Sequence, residues 1–267
     1  MKNTQETTFL MAAFIAFLLC MPGLSSGQWF SNPGANIGKK NLVVGAEYSQ
    51  VMHSYELDVN ELPTVNERFK LKVTAGLTNW LDLYVEGGGA GLMLDYKEND
   101  ANTVKNFDSD YKAGLGLGAR VRLLNFPNSQ TRVFLQGGCF YFKTDDTIEK
   151  EDNNNRTIMN RDMKWADLYV GLGVVKRIDF MDVSFGVGFS EIKWWYRDAI
   201  EIHEGYGTYF PDKKPWRDSF EISNPVFGFL GLDFILPYEY RVSLQAGITN
   251  IDDIGFSAAL SQGLERK

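Results

Sequence analysis

His53 and His203 are the only imidazoles in this chain. A histidine activates a serine only when the two side chains lie within hydrogen-bond reach and a third group orients the ring. His53 is followed directly by Ser54, and consecutive strand residues point to opposite faces. His203 has Glu201 and Glu204 beside it and no nearby serine. Both histidines read as solvated. Asp145, Asp146, Glu149, Glu151 and Asp152 form an acidic run whose oxygens suit calcium, but the spacing fits no defined calcium loop. That run reads as a charged, solvated loop. The chain has no Cys/His zinc spacing, glycine-rich phosphate loop or dinucleotide fingerprint. We therefore expect no catalytic set, no cofactor, no metal site and no enzyme.

The remaining chemistry lies in charges that recur at every second position. Arg68, Lys70 and Lys72 share one face, as do Asp82 and Glu86. Lys112, Arg120, Arg122, Asp167, Asp233, Glu239 and Arg241 complete the set of candidate interior charges. Opposite signs are close to balanced, which suits either an internal ion-pair network or a charged conduit for a small solute. Small residues at Gly114, Gly116, Gly118, Gly171, Gly173, Gly186 and Gly188 leave room on the same face.

These charges are placed by strands. Tyr240, Val242, Leu244, Ala246 and Ile248 alternate with Arg241, Ser243, Gln245 and Gly247. Period-two alternation marks a strand with one apolar and one polar face. About ten such segments follow one another, within a range of about 8–12, as transmembrane barrels show. They begin near Leu42, Glu67, Leu81, Tyr111, Arg132, Trp165, Asp182, Ser219, Tyr240 and Ile254. The parity of the seventh changes near Glu191. Short connections (Thr78–Trp80, Asn125–Gln130, Arg177–Met181, Pro237–Glu239) alternate with long charged ones (Glu56–Asn66, Lys97–Ser109, Thr144–Asp162, Arg197–Asp218). Short periplasmic turns and long extracellular loops are the asymmetry of a closed, antiparallel, up-and-down transmembrane β-barrel. Trp80, Tyr84, Phe126, Phe180, Tyr238 and Tyr240 sit near the short turns, and Trp194, Trp195 and Trp216 near the long loops. These are candidates for the two aromatic girdles of a membrane barrel.

The amino-terminal segment is expected to be an address rather than part of the fold. Phe9 to Cys20 is apolar, Met21-Pro22-Gly23 breaks the run, and Ser25-Ser26-Gly27 supplies small residues for cleavage. Residues 1–27 read as a secretory signal peptide and 28–267 as one barrel domain. Without that segment Cys139 is the one remaining cysteine, so no internal disulfide forms. A net charge of −7 without a basic patch argues against nucleic acid as a partner.

On this signal, strand pattern and loop asymmetry, the chain resembles the Gram-negative outer-membrane β-barrel proteins, the class that holds the small OmpA-like and OmpW-like barrels. The resemblance covers 28–267 and is architectural. It implies an outer-membrane location, contact with outer-membrane lipid and lipopolysaccharide, and insertion by the outer-membrane assembly machinery. The function it implies is structural, or that of a narrow, passive, porin-like channel. An outer-membrane enzyme acting on lipid or peptide is the alternative, but lipid-hydrolysing barrels set histidine and serine two apart on one strand, and omptin-type proteases need an Asp-His pair that is missing here. A soluble secreted β-sandwich or barrel that binds a ligand is the second alternative.

Overall fold

The computed structural model describes residues 41–57, 60–94, 107–152, 155–204, 207–209, 226–250 and 253–264. The expected signal peptide at 1–27, Trp216 and residues 219–225 of the expected eighth strand lie outside the described residues. The strands are β1 (Leu42–Leu57), β2 (Asn60–Gly76), β3 (Leu81–Leu94), β4 (Phe107–Asp108), β5 (Lys112–Phe126), β6 (Thr131–Asp152), β7 (Asn155–Ile178), β8 (Met181–Glu204), β9 (Gly207–Tyr209), β10 (Val226–Ile235), β11 (Tyr240–Asn250) and β12 (Asp253–Leu264). The short β4 and β9 are appended to β3 and β8. The other ten pair antiparallel in chain order, and β1 pairs β12 from Leu42↔Leu264 to Val51↔Gly255. With β8 paired to β10 from Phe234↔Met181 to Val226↔Phe189, the ten strands close on themselves. A single closed sheet replaces the two packed layers a β-sandwich would need.

The faces are inverted relative to a soluble protein. Leu71, Val85, Leu115, Leu117, Phe185, Val187 and Leu230 point outward and are more than half exposed. Charged and hydroxyl residues alternate with them and point inward, where Arg68, Gln136, Asp167, Asp182 and Ser184 are each 0 % exposed. Water-soluble folds bury the first set and solvate the second. A one-residue shift between Arg122 and Leu124 near the short-turn end of β5 leaves both Leu123 and Leu124 facing out.

Several strands run on past the ends their apolar pattern predicts. β6, β7 and β8 have 22, 24 and 24 residues, whereas a bilayer crossing needs about 9–11. The expected loop at Thr144–Asp162 is therefore mostly the outer half of a β6–β7 hairpin, and the acidic run lies within β6. The expected loop at Glu56–Asn66 is likewise the outer part of a β1–β2 hairpin. Polar residues keep the ladder going because the backbone bonds of a hairpin do not depend on lipid. β10 to β12, at 10 to 12 residues, span little more than the bilayer. Measured along the strands, β7 and β8 thus run about 40 Å further than β11 and β12 at ~3.3 Å per residue.

The expected change of parity near Glu191 does not occur. β7 and β8 stay in register from Asn155↔Glu204 to Ile178↔Met181. Glu191 and Lys193 both face out and pair at 2.9 Å, while Ile192 between them is buried inside. The pattern only looks reversed because the outer face turns charged and the inner one apolar where the strand leaves the apolar band.

The short turns sit at the opposite end. In the first, the Thr78 hydroxyl accepts the amides of Trp80 and Leu81 at 3.1 and 3.0 Å. The β7–β8 turn needs only Asp179 and Phe180, with Asp179 at φ 51°. Aspartate tolerates that left-handed geometry because its short side chain bonds locally.

Candidate functional site

The barrel interior concentrates buried polar chemistry among the described residues, and β2, β3 and β5–β8 supply most of it. Alternation places Arg68, Lys70 and Lys72 one above another on β2, with Glu86 directly across from Lys72. Lys70 lies 3.0 Å from Glu47 and 3.5 Å from Glu86, and all three are buried. Arg68 pairs with Asp167 and also donates to Asn66 at 2.8 Å. Its guanidinium stacks 4.8 Å from the centre of the Phe140 ring. Trp165 donates its indole N–H to the other oxygen of Asp167 at 2.6 Å. Trp165, Asp167 and Tyr169 thus form one inner column of β7.

Toward the short turns, Lys72 stands 3.8 Å over the Tyr84 ring, and the Tyr84 and Tyr169 hydroxyls bond to each other. Asp82 lies across from Arg120, and Asp233 also acts on that guanidinium. Arg120 donates to Gln136 at 3.0 Å. Phe134, Phe227 and Phe229 pack beneath, with ring centres 6.4 to 6.5 Å apart. At the turn end Asp182, fully buried, accepts from Arg177 at 2.9 Å, Arg132 at 3.2 Å and Arg241 at 3.3 Å.

Charged groups taken from water into such a space cost several kcal/mol each unless paired and hydrogen-bonded. The arrangement meets that requirement by interleaving both signs with aromatic faces. Among the described residues, no group of three or more His, Cys, Asp or Glu is placed to hold a metal ion.

Of the candidate interior charges, Arg68, Lys70, Lys72, Asp82, Glu86, Arg120, Asp167 and Asp233 are buried in the lumen. Arg122 and Arg241 lie half-buried toward the short turns. Lys112 sits at the long-connection mouth, 3.1 Å from Asp145. Glu239 lies at the short-turn rim, its carboxylate over the inward side of Gly263, where an added Cβ would stand 2.4 Å from Oε2. It is exposed in the Pro237–Glu239 turn, where Tyr238 and Glu239 at φ 60° and 61° interrupt the strand alternation.

Among the candidate girdle residues, Trp80, Phe126, Phe180 and Tyr238 are exposed beside the short turns, and Tyr240 is half-buried there. Trp195 is half-buried on the outer face of β8, and Trp194 occupies the next position of that strand. Tyr84 is no girdle residue. It shares the parity of Asp82 and Glu86, so its ring points inward and is 2 % exposed.

The space beside the interior glycines is not empty. A Cβ on Gly118 would stand 2.2 Å from the Tyr84 hydroxyl, and one on Gly173 2.4 Å from the Phe134 ring. The space they free is filled by rings from neighbouring strands. The sequence carries this signal as large aromatics and glycines on the same face of adjacent strands, but pairing them requires the register.

His53 lies opposite Thr64 in the β1–β2 hairpin, and His203 opposite Arg156 in β7–β8. On the outer face, Glu67 accepts from Gln50 at 3.0 Å and from Tyr111 at 2.6 Å. Partial burial, followed by the Glu67 carboxylate, pushes the Tyr111 phenol above its usual range.

A closed sheet with an apolar exterior, exposed aromatics by the short turns and a paired polar interior defines a transmembrane β-barrel of the outer-membrane kind. No protein-family profile and no curated protein matches the chain. Among solved structures, it is similar to the translocator domain of the autotransporter NalP from Neisseria meningitidis, with 9 % identity, a TM-score of 0.47, and 86 % of this chain and 89 % of that one covered. The transport unit of the autotransporter AIDA-I from Escherichia coli aligns at 12 % identity and a TM-score of 0.40, over 90 % and 93 % of the two chains. An outer membrane channel from Pseudomonas putida F1 aligns at 9 % identity and a TM-score of 0.38, over 88 % and 100 %. The class assignment rests on the strand closure and the inverted faces described above.

Proposed function

We propose that this outer-membrane barrel is structural and non-conducting, a rigid mount for the hairpins that β6, β7 and β8 raise beyond the membrane. The observation that carries this reading is one layer of the lumen. Arg68, Gln136, Phe140, Phe142, Trp165 and Asp167 come from three strands, β2, β6 and β7, and none is more than 1 % exposed. An aqueous passage along this side of the lumen would wet at least one of them. On this reading the chain has no catalytic role, and its partners are outer-membrane lipid, lipopolysaccharide and the assembly machinery that inserts it.

A second reading, a narrow passive pore, draws support from the opposite wall. There Ser49, Ser243 and Gln245 are buried with side-chain polar atoms that lack a hydrogen-bond partner, as groups lining a hydrated path would be. Planar-bilayer recording separates the two. Pure refolded protein in molar potassium chloride is expected to give no current steps. Reproducible steps of constant size would overturn the structural reading in favour of the pore.

A further inference from the structure

Three guanidinium groups converge on one carboxylate at the short-turn end of the lumen. Arg132 on β6, Arg177 on β7 and Arg241 on β11 all donate to Asp182 Oδ2, at 3.2, 3.0 and 3.3 Å. Arg177 also donates its Nε–H to Oδ1 at 2.9 Å. The Asp182 side chain is 0 % exposed, whereas those of Arg132, Arg177 and Arg241 are 17, 36 and 21 % exposed. The guanidinium groups therefore cover the carboxylate and turn their remaining N–H groups toward the mouth.

One carboxylate cancels one of these three charges. Asp233 stands directly across from Asp182, but it acts with Asp82 on Arg120, deeper in the lumen. Asp82 acts on Arg122 as well. Five arginines thus meet three buried aspartates at this end, and two positive charges are left over. Glu239, at the rim over Gly263, forms no ion pair with them among the described residues. Arg122 lies diagonal to Arg132 across the β5–β6 ladder, and its Nη2 is buried without a hydrogen-bond partner. Arginine forks match the oxygens of carboxylate and phosphate. A dianion cancels the leftover charge and takes an N–H from several forks at once, which chloride cannot. The cluster points into the lumen, so such a ligand arrives from water through the mouth and not from the bilayer.

We propose that Arg132 and Arg241, with Arg122 and Arg177 beside them, form a binding site for a soluble phosphate dianion, free or as a small monoester, at the short-turn mouth. Asp182 is the internal counter-ion that gathers the guanidinium groups. The site rests on the membrane-barrel reading for its access to water, and it holds whether or not the lumen conducts.

The test titrates the refolded barrel in neutral-detergent micelles with inorganic phosphate and with glycerol 3-phosphate, by calorimetry near neutral pH, at an ionic strength fixed with chloride. Saturable binding is expected. Binding of phosphate alone assigns the free anion, and binding of both assigns the phosphate group they share. Arg132→Gln and Arg241→Gln are each expected to weaken it about tenfold, the worth of one charge-assisted hydrogen bond. Asp182→Asn is expected to tighten it about tenfold, because it removes the competing negative charge and keeps an oxygen for Arg177. A merely structural Asp182 gives no such gain. Lys176→Gln, exposed on the outer face of β7 beside the same turn, is expected to change nothing. Heat-modifiable gel mobility reports that each variant is folded, and the wild-type titration needs no variant at all. A wild type that binds neither phosphate, folded arginine variants that bind as the wild type does, or a folded Asp182→Asn that binds no tighter would overturn the site. Loss of heat-modifiable mobility in the wild type together with solubility in the absence of detergent would overturn the barrel reading instead.

Discussion

The two halves of the lumen are built on different rules. The wall formed by β2, β3 and β5–β8 carries the bulk, including Arg68, Lys70, Tyr84, Phe134, Phe140, Phe142, Trp165 and Tyr169, all buried. The wall formed by β11, β12 and β1 carries little. Following the register across it from Gln245 meets Ser257 and then Ser49, and the adjacent row runs Ser243, Ala259, Glu47. A ten-strand barrel is slightly wider than the eight-strand kind that side chains just fill. In this one, long side chains from one wall lean across toward a wall of small ones. Both walls leave some buried polar atoms without a hydrogen-bond partner, on Asn66, Arg68, Gln136 and Ser184 in the first and on Ser49, Ser243 and Gln245 in the second, so the walls differ in bulk rather than in how fully their polar groups are paired.

The contrast predicts unequal sensitivity to substitution. The largest effect falls on the Arg68–Asp167 pair, where both side chains are 0 % exposed. Arg68→Ala strands the Asp167 carboxylate, and loss of one member of a buried pair costs about 3–5 kcal/mol. Urea unfolding followed by heat-modifiable gel mobility measures it. Arg68→Met/Asp167→Asn is expected to recover most of the loss, because the charge is gone and Trp165 keeps an acceptor. A single variant as stable as the wild type would mean that this wall is not sealed.

The next effect compares a glycine from each side. A Cβ on Gly118, in the filled wall, meets Tyr84 at 2.2 Å and the Gly137 carbonyl at 2.5 Å. Backbone cannot step aside, so Gly118→Ala is expected to cost about 1–3 kcal/mol, the usual range for overpacking. A Cβ on Gly231, next to the small wall, meets only the Ser184 hydroxyl closely, at 2.5 Å. That hydroxyl can rotate, so Gly231→Ala is expected to stay below about 1 kcal/mol. Equal losses in the same urea assay would erase the distinction between the walls.

How much of this was legible in the sequence follows from what period-two alternation encodes. It reports which face a residue takes, so ten strands, the inward set from Arg68 to Asp233 and the long-short order of connections are readable from it. It reports neither register nor depth. Lys70 between Glu47 and Glu86, and Trp165 bonded to Asp167 beside Arg68, depend on which residue stands across from which. Tyr84 shows the same gap. Its neighbourhood of short turn and tryptophan suggests an interface aromatic, but its parity sends it inside. The outer halves of β6–β8 escape the pattern for a different reason. Beyond the apolar band both faces are polar, so the alternation that marks a strand fades while the hydrogen-bond ladder continues.

The smallest effect has the opposite sign and sharpens the comparison most. Ser243 is 5 % exposed on the small wall, and its hydroxyl has no partner. Removing one side of a satisfied buried hydrogen bond is costly, but removing an unsatisfied group spares its desolvation penalty. Ser243→Ala is therefore expected to leave stability unchanged or raise it by up to about 1 kcal/mol. If the small wall is instead hydrated in the membrane, water satisfies that hydroxyl, and the same substitution destabilises the barrel. The urea midpoint of Ser243→Ala thus reports, through its sign, whether the lightly filled half of the lumen is dry packing or a wet seam, and so which of the two functional readings this half supports.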